Sequence, residues 1–325
     1  MHKTYTTPMM VQWMECKKEA GEALLLFRLG DFYEAFEEDA STLSSELQIT
    51  LTHRQEIPMA GIPFQHAESY LEKLLSKGYK IAIAEQIKKT KEESEEAALL
   101  ERKIVRVLTP GTVTDLAFIK ESSSYLTLLF YQDTLFHLIA VDLTTGELVL
   151  YAIDTLRKVI DELTRIDPKE LLIQEKSHLL LRETGWDTGR CRVEIFPEKI
   201  FDEKRAEKEI ETHFSLPKRE MLGLEKEQGM KIALGTLLYY LKGKLFLNLN
   251  HLQHPYWIKL QGFLSLDHNT QKHLELVSSA SPEGKTLFSL LDKTHTPMGK
   301  RLLKKWLLKP LKEVEAIEAR QDIVE

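Results

Sequence analysis

The sequence is poor in the residues that mark disulfide-stabilised, zinc-bound or membrane-spanning proteins. Only two cysteines occur among 325 residues, Cys16 and Cys191, and neither has a CxxC partner or a histidine cluster nearby. This spacing gives no support to a disulfide framework or a zinc site. No apolar run approaches the ~20 residues of a membrane span, and the first residues do not form a signal peptide. We therefore expect a cytoplasmic protein with reduced thiols and no membrane partner.

Positive charge is also in short supply. The chain has 44 Lys and Arg against 50 Asp and Glu, a formal net charge of -6. Nucleic-acid-binding proteins usually carry a basic patch. The first 117 residues, with 14 Lys and Arg against 19 Asp and Glu, are acidic as well. Any affinity of this segment for DNA must therefore depend on shape and on a few well-placed groups.

The rest of the composition is that of a globular protein. Hydrophobic residues make up 43% of the chain and charged residues 29%, with 15 Gly and 11 Pro. This balance predicts a folded chain and not a disordered or fibrous one. Because hydrophobic cores divide into domains of about 100 to 200 residues, we expect two or three domains.

The first region alternates helical and strand patterns as far as about Thr112. Thr7 and Pro8 predict the start of a helix that runs to about Ala20. The apolar run at 23–28 predicts a buried strand ending at Gly30, and the acidic residues of 31–40 suit a helix N-terminus. The segments 48–52, 57–62 and 79–86 predict strands, and 66–77 predicts a helix that stops at Gly78. The segment 102–111 predicts a final strand that is punctuated by ProGly. The charge-dense stretch 88–103 predicts an exposed helix or loop.

The pattern changes at about residue 122. Three consecutive strand patterns, at 124–132, 135–143 and 147–153, predict a meander joined by short turns. Helices and strands then alternate to about 214, which predicts a second α/β domain, and a connecting helix follows at about 225–241. The remainder has helical periodicity. Its last segment is still in helical register at residue 325, so we expect the chain to be truncated inside a larger fold.

Several strings resemble the MutS family of mismatch-recognition proteins. Within the first region these are TPMM at 7–10, LFRLGDFYEAFEEDA at 26–40 and IPMAGIPFQHAESYLEKL at 57–74. RKIVRVLTPGTVTD at 102–115 and TPMGKRLLKKWL at 296–307 are also similar to that family. The resemblance implies the N-terminal part of such a protein, an α/β multi-domain fold. Its parts would be a mixed α/β mismatch-recognition domain at 1–117, an RNase H-like α/β connector at 118–250, and the truncated start of an all-α core (lever) domain at 251–325.

The resemblance also implies a site. By the family's PheXaaGlu element, Phe32 would be a wedge that stacks on a mispaired or unpaired base and kinks the duplex. Glu34 would hydrogen-bond the displaced base. Nearby phosphates would raise the pKa of this carboxyl group, and a protonated Glu can donate as well as accept.

A structural interpretation competes with this site. Aromatic residues spaced as in 32–36 usually belong to a core. We expect Gly30 to let the backbone turn, Tyr33 and Phe36 to pack, and Phe32 to project. Five basic residues are candidate contacts of the DNA backbone, although each could equally be an ordinary solvated charge: Arg54, His66, Arg102, Lys103 and Arg106.

Enzymatic interpretations have weak support. GlyLysThr at 284–286 resembles the end of a phosphate-binding loop, but Ser279 stands where that loop requires glycine. Nuclease chemistry needs clustered carboxylates, and Asp142 stands alone at a strand end. We therefore expect no catalytic residue, metal or cofactor in this chain. In the family, ATP and Mg bind the C-terminal ATPase, which lies outside this sequence.

The predicted function is mismatched-DNA binding in DNA mismatch repair. The resemblance implies as partners double-stranded DNA with mismatches or small loops, a second MutS subunit and MutL, and a nucleoid-associated location in the bacterial cytoplasm. The alternative is a protein-interaction module of a repair complex without intrinsic mismatch preference. The basic helix predicted at 293–312 belongs by resemblance to the helical core, although alone it could indicate a surface that binds nucleic acid or a membrane.

Overall fold

The computed structural model describes residues 7–87, 101–112, 124–186, 191–215, 223–224, 227–258, 262–264, 266–281 and 284–324. The stretch 88–100, most of the segment predicted as an exposed helix or loop, lies outside the described residues. The chain divides into two compact units. The first comprises residues 1–112 with 240–249, and the second comprises 113–239 with 250–325. The domain boundaries inferred from the sequence stay a prediction.

The first unit is built on a six-stranded mixed sheet. Its helices are α1 (Pro8–Ala20), α2 (Glu37–Leu47) and α3 (Ala67–Ser76). Its strands are β1 (Leu24–Leu29), β2 (Phe32–Phe36), β3 (Thr52–Arg54), β4 (Ile57–Pro63), β5 (Ile81–Gln86) and β6 (Arg102–Leu108). They lie in the order β3-β4-β2-β1-β5-β6, and β1 and β5 are the parallel pair.

A buried carboxylate joins the first helices to this sheet. Asp39, in the first turn of α2, accepts a hydrogen bond from the backbone N of Leu25 at 3.0 Å. It also pairs with Lys17 of α1 at 2.8 Å. Around this contact, Trp13 of α1 meets Phe36 edge to face at 5.7 Å between ring centroids. These contacts fix the segment from β2 into α2 against the core.

One local expectation is wrong in its position. The acidic residues of 31–40 suited a helix N-terminus, but residues 32–36 form β2 and the helix begins at Glu37. The cause is pairing on both sides of β2, since Glu34 lies opposite Phe27 in β1 and opposite Gly61 in β4. The acidic residues of 37–39 do occupy the first turn of α2, where the helix dipole favours negative charge.

The second unit contains the predicted meander. Its sheet consists of β7 (Tyr125–Gln132), β8 (Leu135–Asp142), β9 (Glu147–Ile153), β10 (Glu170–Gln174), β11 (Arg192–Phe196) and β12 (Tyr256–Trp257). The order is β11-β10-β7-β8-β9-β12. Strands β7, β8 and β9 are antiparallel, whereas β10 is parallel to both β7 and β11. The two mixed sheets and their helices confirm the α/β class.

In the second unit, helices and strands alternate up to residue 214, as the sequence predicts. The helices of this unit are α4 (Leu156–Ile166), α5 (Glu175–Glu183), α6 (Glu203–Phe214), α7 (Gln228–Tyr239), α8 (His268–His273), α9 (Leu287–Leu291), α10 (Pro297–Leu308) and α11 (Val314–Val324). Helix α10 lies within 293–312, where the sequence predicts a basic helix. Throughout the described ranges, no helix combines the length and apolar character needed to cross a membrane.

Candidate functional site

The hairpin between β1 and β2 carries the predicted site. Leu29 lies opposite Phe32, so only Gly30 and Asp31 form the turn. Gly30 has φ +59°, in the left-handed region that favours glycine. No atom lies within 4 Å of a Cβ built at Gly30, so its backbone conformation, and not crowding, requires glycine. The turn that the sequence predicted before Phe32 is present.

The three aromatic side chains of β2 differ in exposure. Phe32 is 47% exposed, whereas Tyr33 is 6% exposed and Phe36 is fully buried. Successive residues of a strand point to opposite faces of the sheet, so Tyr33 lies on the face opposite Phe32. Phe36 shares the face of Phe32, but it lies farther from the turn, where Trp13 of α1 packs against it. This is the arrangement expected from the sequence, in which Phe32 projects and its aromatic neighbours pack. The role of Phe32 is a separate question.

Glu34 lies on the same face as Phe32, above a glycine of the next strand. Glu34 pairs with Gly61 of β4. A Cβ added to Gly61 would lie 3.5 Å from Cγ of Glu34 and 3.8 Å from Cδ1 of Phe32. Since Gly61 has no side chain, the two side chains of β2 lie over bare backbone. This leaves an aromatic ring and a carboxyl group side by side on one face of the sheet.

The carboxyl group of Glu34 is poorly compensated. Its Oε2 is buried and has no hydrogen-bond partner among the described residues. The nearest cation is Arg54, whose Nη1 lies 3.8 Å from Oε2, too far for a hydrogen bond. Burial raises the pKa of Glu34 above its ordinary value, and Arg54 only partly opposes this shift. The Oε2 atom of Glu34 is thus an acceptor, or when protonated a donor, without a hydrogen bond in the described residues.

The opposite face of the hairpin is packed more firmly. The Arg28 guanidinium lies 3.4 Å from the ring centroid of Phe64, the residue that follows β4. Phe64 meets Tyr33 edge to face at 5.6 Å between ring centroids. The Tyr33 hydroxyl in turn donates a hydrogen bond to Glu85 of β5. Neither Arg28 nor Phe64 was singled out from the sequence. They lie in separate segments, and nothing in the local pattern of charged and aromatic residues indicates that their side chains stack.

The five basic candidates differ in accessibility. Arg54 and His66 are exposed. Lys103 is exposed and pairs with Glu101 at 2.9 Å, which raises the pKa of the Lys103 amine. Arg106 is half-buried. Arg102 is buried, and its Nε donates to the backbone O of Arg28 at 2.9 Å, so its guanidinium is occupied within the fold.

The residues weighed for enzymatic chemistry have local structural partners. Asp142, at the end of β8, accepts hydrogen bonds from Thr144 N at 2.9 Å and Thr144 Oγ1 at 2.6 Å. Thr286 caps the short helix α9, since its side chain accepts from Ser289 N at 3.0 Å. The part of the chain that the structure describes contains no group of three or more His, Cys, Asp or Glu residues arranged to hold a metal ion.

Family models match nearly the whole chain in three consecutive blocks. Residues 7–117 match MutS domain I, residues 116–253 match MutS domain II, and residues 269–325 match MutS domain III. The exposed Phe32 and the half-buried Glu34 lie in the first block.

Curated relatives give the same result along the full alignment. The chain is 40% identical to the DNA mismatch repair protein MutS of Protochlamydia amoebophila, over 97% of the chain and 37% of that protein. It is 37% identical to the protein of the same name from Chlamydia abortus, over 98% of the chain and 40% of the relative. It is 36% identical to the protein of the same name from Caldanaerobacter subterraneus, over 100% of the chain and 38% of the relative. The chain thus spans about two fifths of the length of these relatives.

Proposed function

Since this chain belongs to the MutS family, we propose that its first unit probes DNA duplexes for mispaired or unpaired bases, with Phe32 and Glu34 as the probing side chains. The observation that carries the proposal is the exposure of Phe32, 47%, at the tip of a hairpin whose other aromatic residues are buried. An aromatic ring inserted from the minor groove unstacks a base step, which costs least where a mismatch has already weakened the stack.

Glu34 supports the same proposal because, in the part of the chain that the structure describes, the burial of its carboxyl group is not compensated by a hydrogen bond to Oε2. Its buried Oε2 has no hydrogen-bond partner among the described residues, and burial raises the pKa of the carboxyl group. Phosphates around a bound duplex would raise this pKa further. A protonated Glu34 would offer a hydrogen-bond donor to a base displaced by Phe32.

The part of the second unit that lies within residues 118–250 would serve as the connector. The order of its first five strands, β11-β10-β7-β8-β9, with an antiparallel meander extended by two parallel strands, supports the RNase H-like topology that the resemblance implies. We propose binding and not turnover, with neither ATP nor Mg²⁺ assigned to this chain. A second MutS subunit and MutL are the proposed protein partners, and DNA in the bacterial nucleoid is the proposed substrate.

The test compares two duplexes and three proteins. Fluorescence anisotropy at low salt measures the affinity of the wild type, Phe32→Ala and Phe246→Ala for a duplex with one G·T mismatch and for its fully paired counterpart. Phe246, at 42% exposure in the same unit, is the matched control for loss of an exposed phenyl ring. Base stacking on an aromatic residue is worth about 1 to 3 kcal/mol. Phe32→Ala should therefore lose the mismatch preference, while Phe246→Ala should keep it.

Circular dichroism on all three proteins shows whether a missing mismatch preference results from unfolding or occurs in the folded protein. If Phe32→Ala unfolds the chain, Phe32 is a structural residue and the proposal is wrong. If the folded wild type binds both duplexes equally, the chain has no intrinsic preference, and the interaction-module alternative gains support.

Salt dependence is a second check. Because the first 117 residues are acidic, we expect weak DNA binding. The affinity should fall further when the salt concentration is raised, because added salt opposes the counterion release that accompanies the few phosphate contacts. Nanomolar affinity of the isolated chain, or no effect of salt, would contradict this expectation.

A further inference from the structure

Two residues hold the carbonyl groups of the turn between β1 and β2. Nε of Arg28 donates a hydrogen bond to the backbone O of Gly30 at 2.6 Å. The backbone N of Phe64 donates to the backbone O of Asp31 at 2.9 Å. Gly30 and Asp31 are the whole turn, so each of its residues is held by one contact from outside it. Phe32 follows directly.

The same two residues also contact each other. The guanidinium carbon of Arg28 lies 3.4 Å from the Phe64 ring centroid, within the range of a strong cation–π contact. It lies 5.6 Å from the ring centroid of Tyr33, whose hydroxyl is bonded to Glu85. Arg28 and Phe64 thus form one stacked pair, which we call the turn clamp, and it rests on the buried side of β2.

The turn clamp has two features that an ordinary core contact lacks. Phe64 is 44% exposed, although large aromatic side chains that serve only a core are usually buried. Nη1 of Arg28 is buried without a hydrogen-bond partner among the described residues, so one donor of the guanidinium is uncompensated. A fully buried and fully hydrogen-bonded pair would stabilise the fold more than the turn clamp does. The turn clamp lies next to the proposed wedge, Phe32.

We propose that Arg28 and Phe64 are positioning residues that fix the direction in which Phe32 leaves the hairpin, and thereby set the size of the mismatch preference. This inference rests on the proposed function. A wedge held in its inserted geometry before binding loses little conformational freedom on insertion, whereas a loose one must be ordered at the expense of affinity. The penalty appears only when Phe32 inserts, so it affects mismatched duplex more than paired duplex.

Charge-conserving variants test the turn clamp. Arg28→Lys keeps the positive charge, but an ammonium group cannot both stack flat on Phe64 and donate in the geometry of a guanidinium. Phe64→Leu keeps the backbone hydrogen bond to Asp31 and removes the ring. Phe64→Tyr keeps the ring and should show the same mismatch preference as the wild type. Arg182→Lys, on the exposed end of α5, is the matched control for the Arg-to-Lys change.

The readout is the ratio of the two dissociation constants, paired over G·T-mismatched duplex, at low salt. We expect Arg28→Lys and Phe64→Leu each to lower this ratio about three- to tenfold, the range of a cation–π contact, with the affinity for paired duplex unchanged within about twofold. Phe64→Tyr and Arg182→Lys should leave the ratio unchanged. Because Arg28 and Phe64 act as a unit, the double variant Arg28→Lys/Phe64→Leu should lower the ratio no further than the more severe single variant.

Phe32→Ala, measured beside these variants, separates this inference from the proposed function. If Phe32→Ala abolishes the preference while Arg28→Lys and Phe64→Leu retain it, the turn clamp is structural and only the positioning inference fails. If both duplexes weaken equally in Arg28→Lys, Arg28 is a phosphate contact, and the inference fails again. If Phe32→Ala keeps the preference, the proposed function itself fails. Should Arg28→Lys unfold, the contrast between Phe64→Leu and Phe64→Tyr decides the outcome alone.

Discussion

Two hairpins of this chain have the same loop length and use their aromatic residues in opposite ways. In the first unit, Gly30 and Asp31 join β1 to β2, and Leu29 lies opposite Phe32. In the second unit, two residues join β7 to β8, and Gln132 lies opposite Leu135. After the first turn comes a ring that is 47% exposed. After the second turn Leu135 comes first, and the ring of the next residue, Phe136, is buried and meets the Tyr131 ring at 4.5 Å between centroids.

The turns themselves also differ. Only Gly30 has a positive φ in the first hairpin, whereas Asp133 and Thr134 have φ of +49° and +72° in the second. A two-residue turn with both residues in this region normally favours Asn-Gly, so a β-branched Thr is strained there. The second hairpin tolerates this strain because its strands are buried in a large core cluster. The first hairpin thus has a glycine where its turn requires a positive φ, whereas the second holds a β-branched residue there and depends more on the packing of its strands.

Removal of a ring should affect stability very differently in the two hairpins. Phe136→Ala should lower the free energy of unfolding by about 3 to 5 kcal/mol, because it leaves a cavity in the core. Phe32→Ala should change it by less than about 1 kcal/mol, because the ring is already half in water. Urea denaturation of both variants measures the difference. Equal losses would contradict the comparison and make Phe32 a core residue.

Glycine at the turn should matter through its backbone alone. Gly30→Ala forces an L side chain into the left-handed region and should cost about 1 kcal/mol. Gly185→Ala, with φ +69° and likewise no atom within 4 Å of the added Cβ, is the matched control. Thermal unfolding should show similar losses for both variants, while DNA anisotropy should show a reduced mismatch preference for Gly30→Ala alone. An unchanged preference in Gly30→Ala would mean that turn geometry does not direct Phe32.

Relief of strain should stabilise the second hairpin. Thr134→Gly removes the β-branched side chain from φ +72° and should raise the free energy of unfolding by about 0.5 to 1 kcal/mol. Thermal melting monitored by circular dichroism is sufficient to detect it, and DNA binding should not change. A loss of stability would show that the Thr134 side chain makes a contact worth more than the strain.

The smallest effect is expected from the charge beside Phe32. Burial raises the pKa of Glu34 in the folded protein, so the stability linked to its proton is complete at acidic pH and is lost as the pH rises through the folded pKa. Glu34→Gln removes the ionised form, so it should be slightly stabilising at neutral pH, within about 0.5 kcal/mol, and should lose that advantage in acid. Melting temperatures measured from pH 4 to 8 test the sign, and the opposite trend would contradict the raised pKa.

Local patterns predicted most of the elements. The helix start at Thr7 and Pro8, the meander and the basic helix within 293–312 are all present because their signals lie within a few neighbouring residues. The exposure of Phe32 was also expected, since Gly30 permits the turn that places it. The position of α2 was missed because β2 pairs with β4, whose residues lie more than twenty positions away, and a local window does not contain that pairing.

Side-chain destinations were harder to predict than elements. Arg102 was taken as a surface cation, yet its guanidinium reaches the backbone O of Arg28, 74 positions earlier in the chain. The same limit applies to Arg28 and Phe64, whose stacked contact joins β1 to the residue that follows β4, far apart in the sequence. Charge alone gives no information on which cations lie at the surface, because long side chains can be buried beneath a neighbouring strand.

The first unit is discontinuous, and this affects the order in which the chain can fold. Residues 240–249 belong to it together with 1–112, and the backbone O of Leu245 accepts a hydrogen bond from Val107 N at 3.1 Å. During synthesis the sheet that carries Phe32 can assemble early, but the buried side chains of Leu241, Leu245 and Leu249 emerge from the ribosome only after the intervening strands and helices. Closing so long a loop has an entropic cost that grows slowly with its length, so the delay is kinetic more than thermodynamic. Until residue 249 is available, the nascent first unit lacks these three buried side chains and the hydrogen bond between Val107 and Leu245.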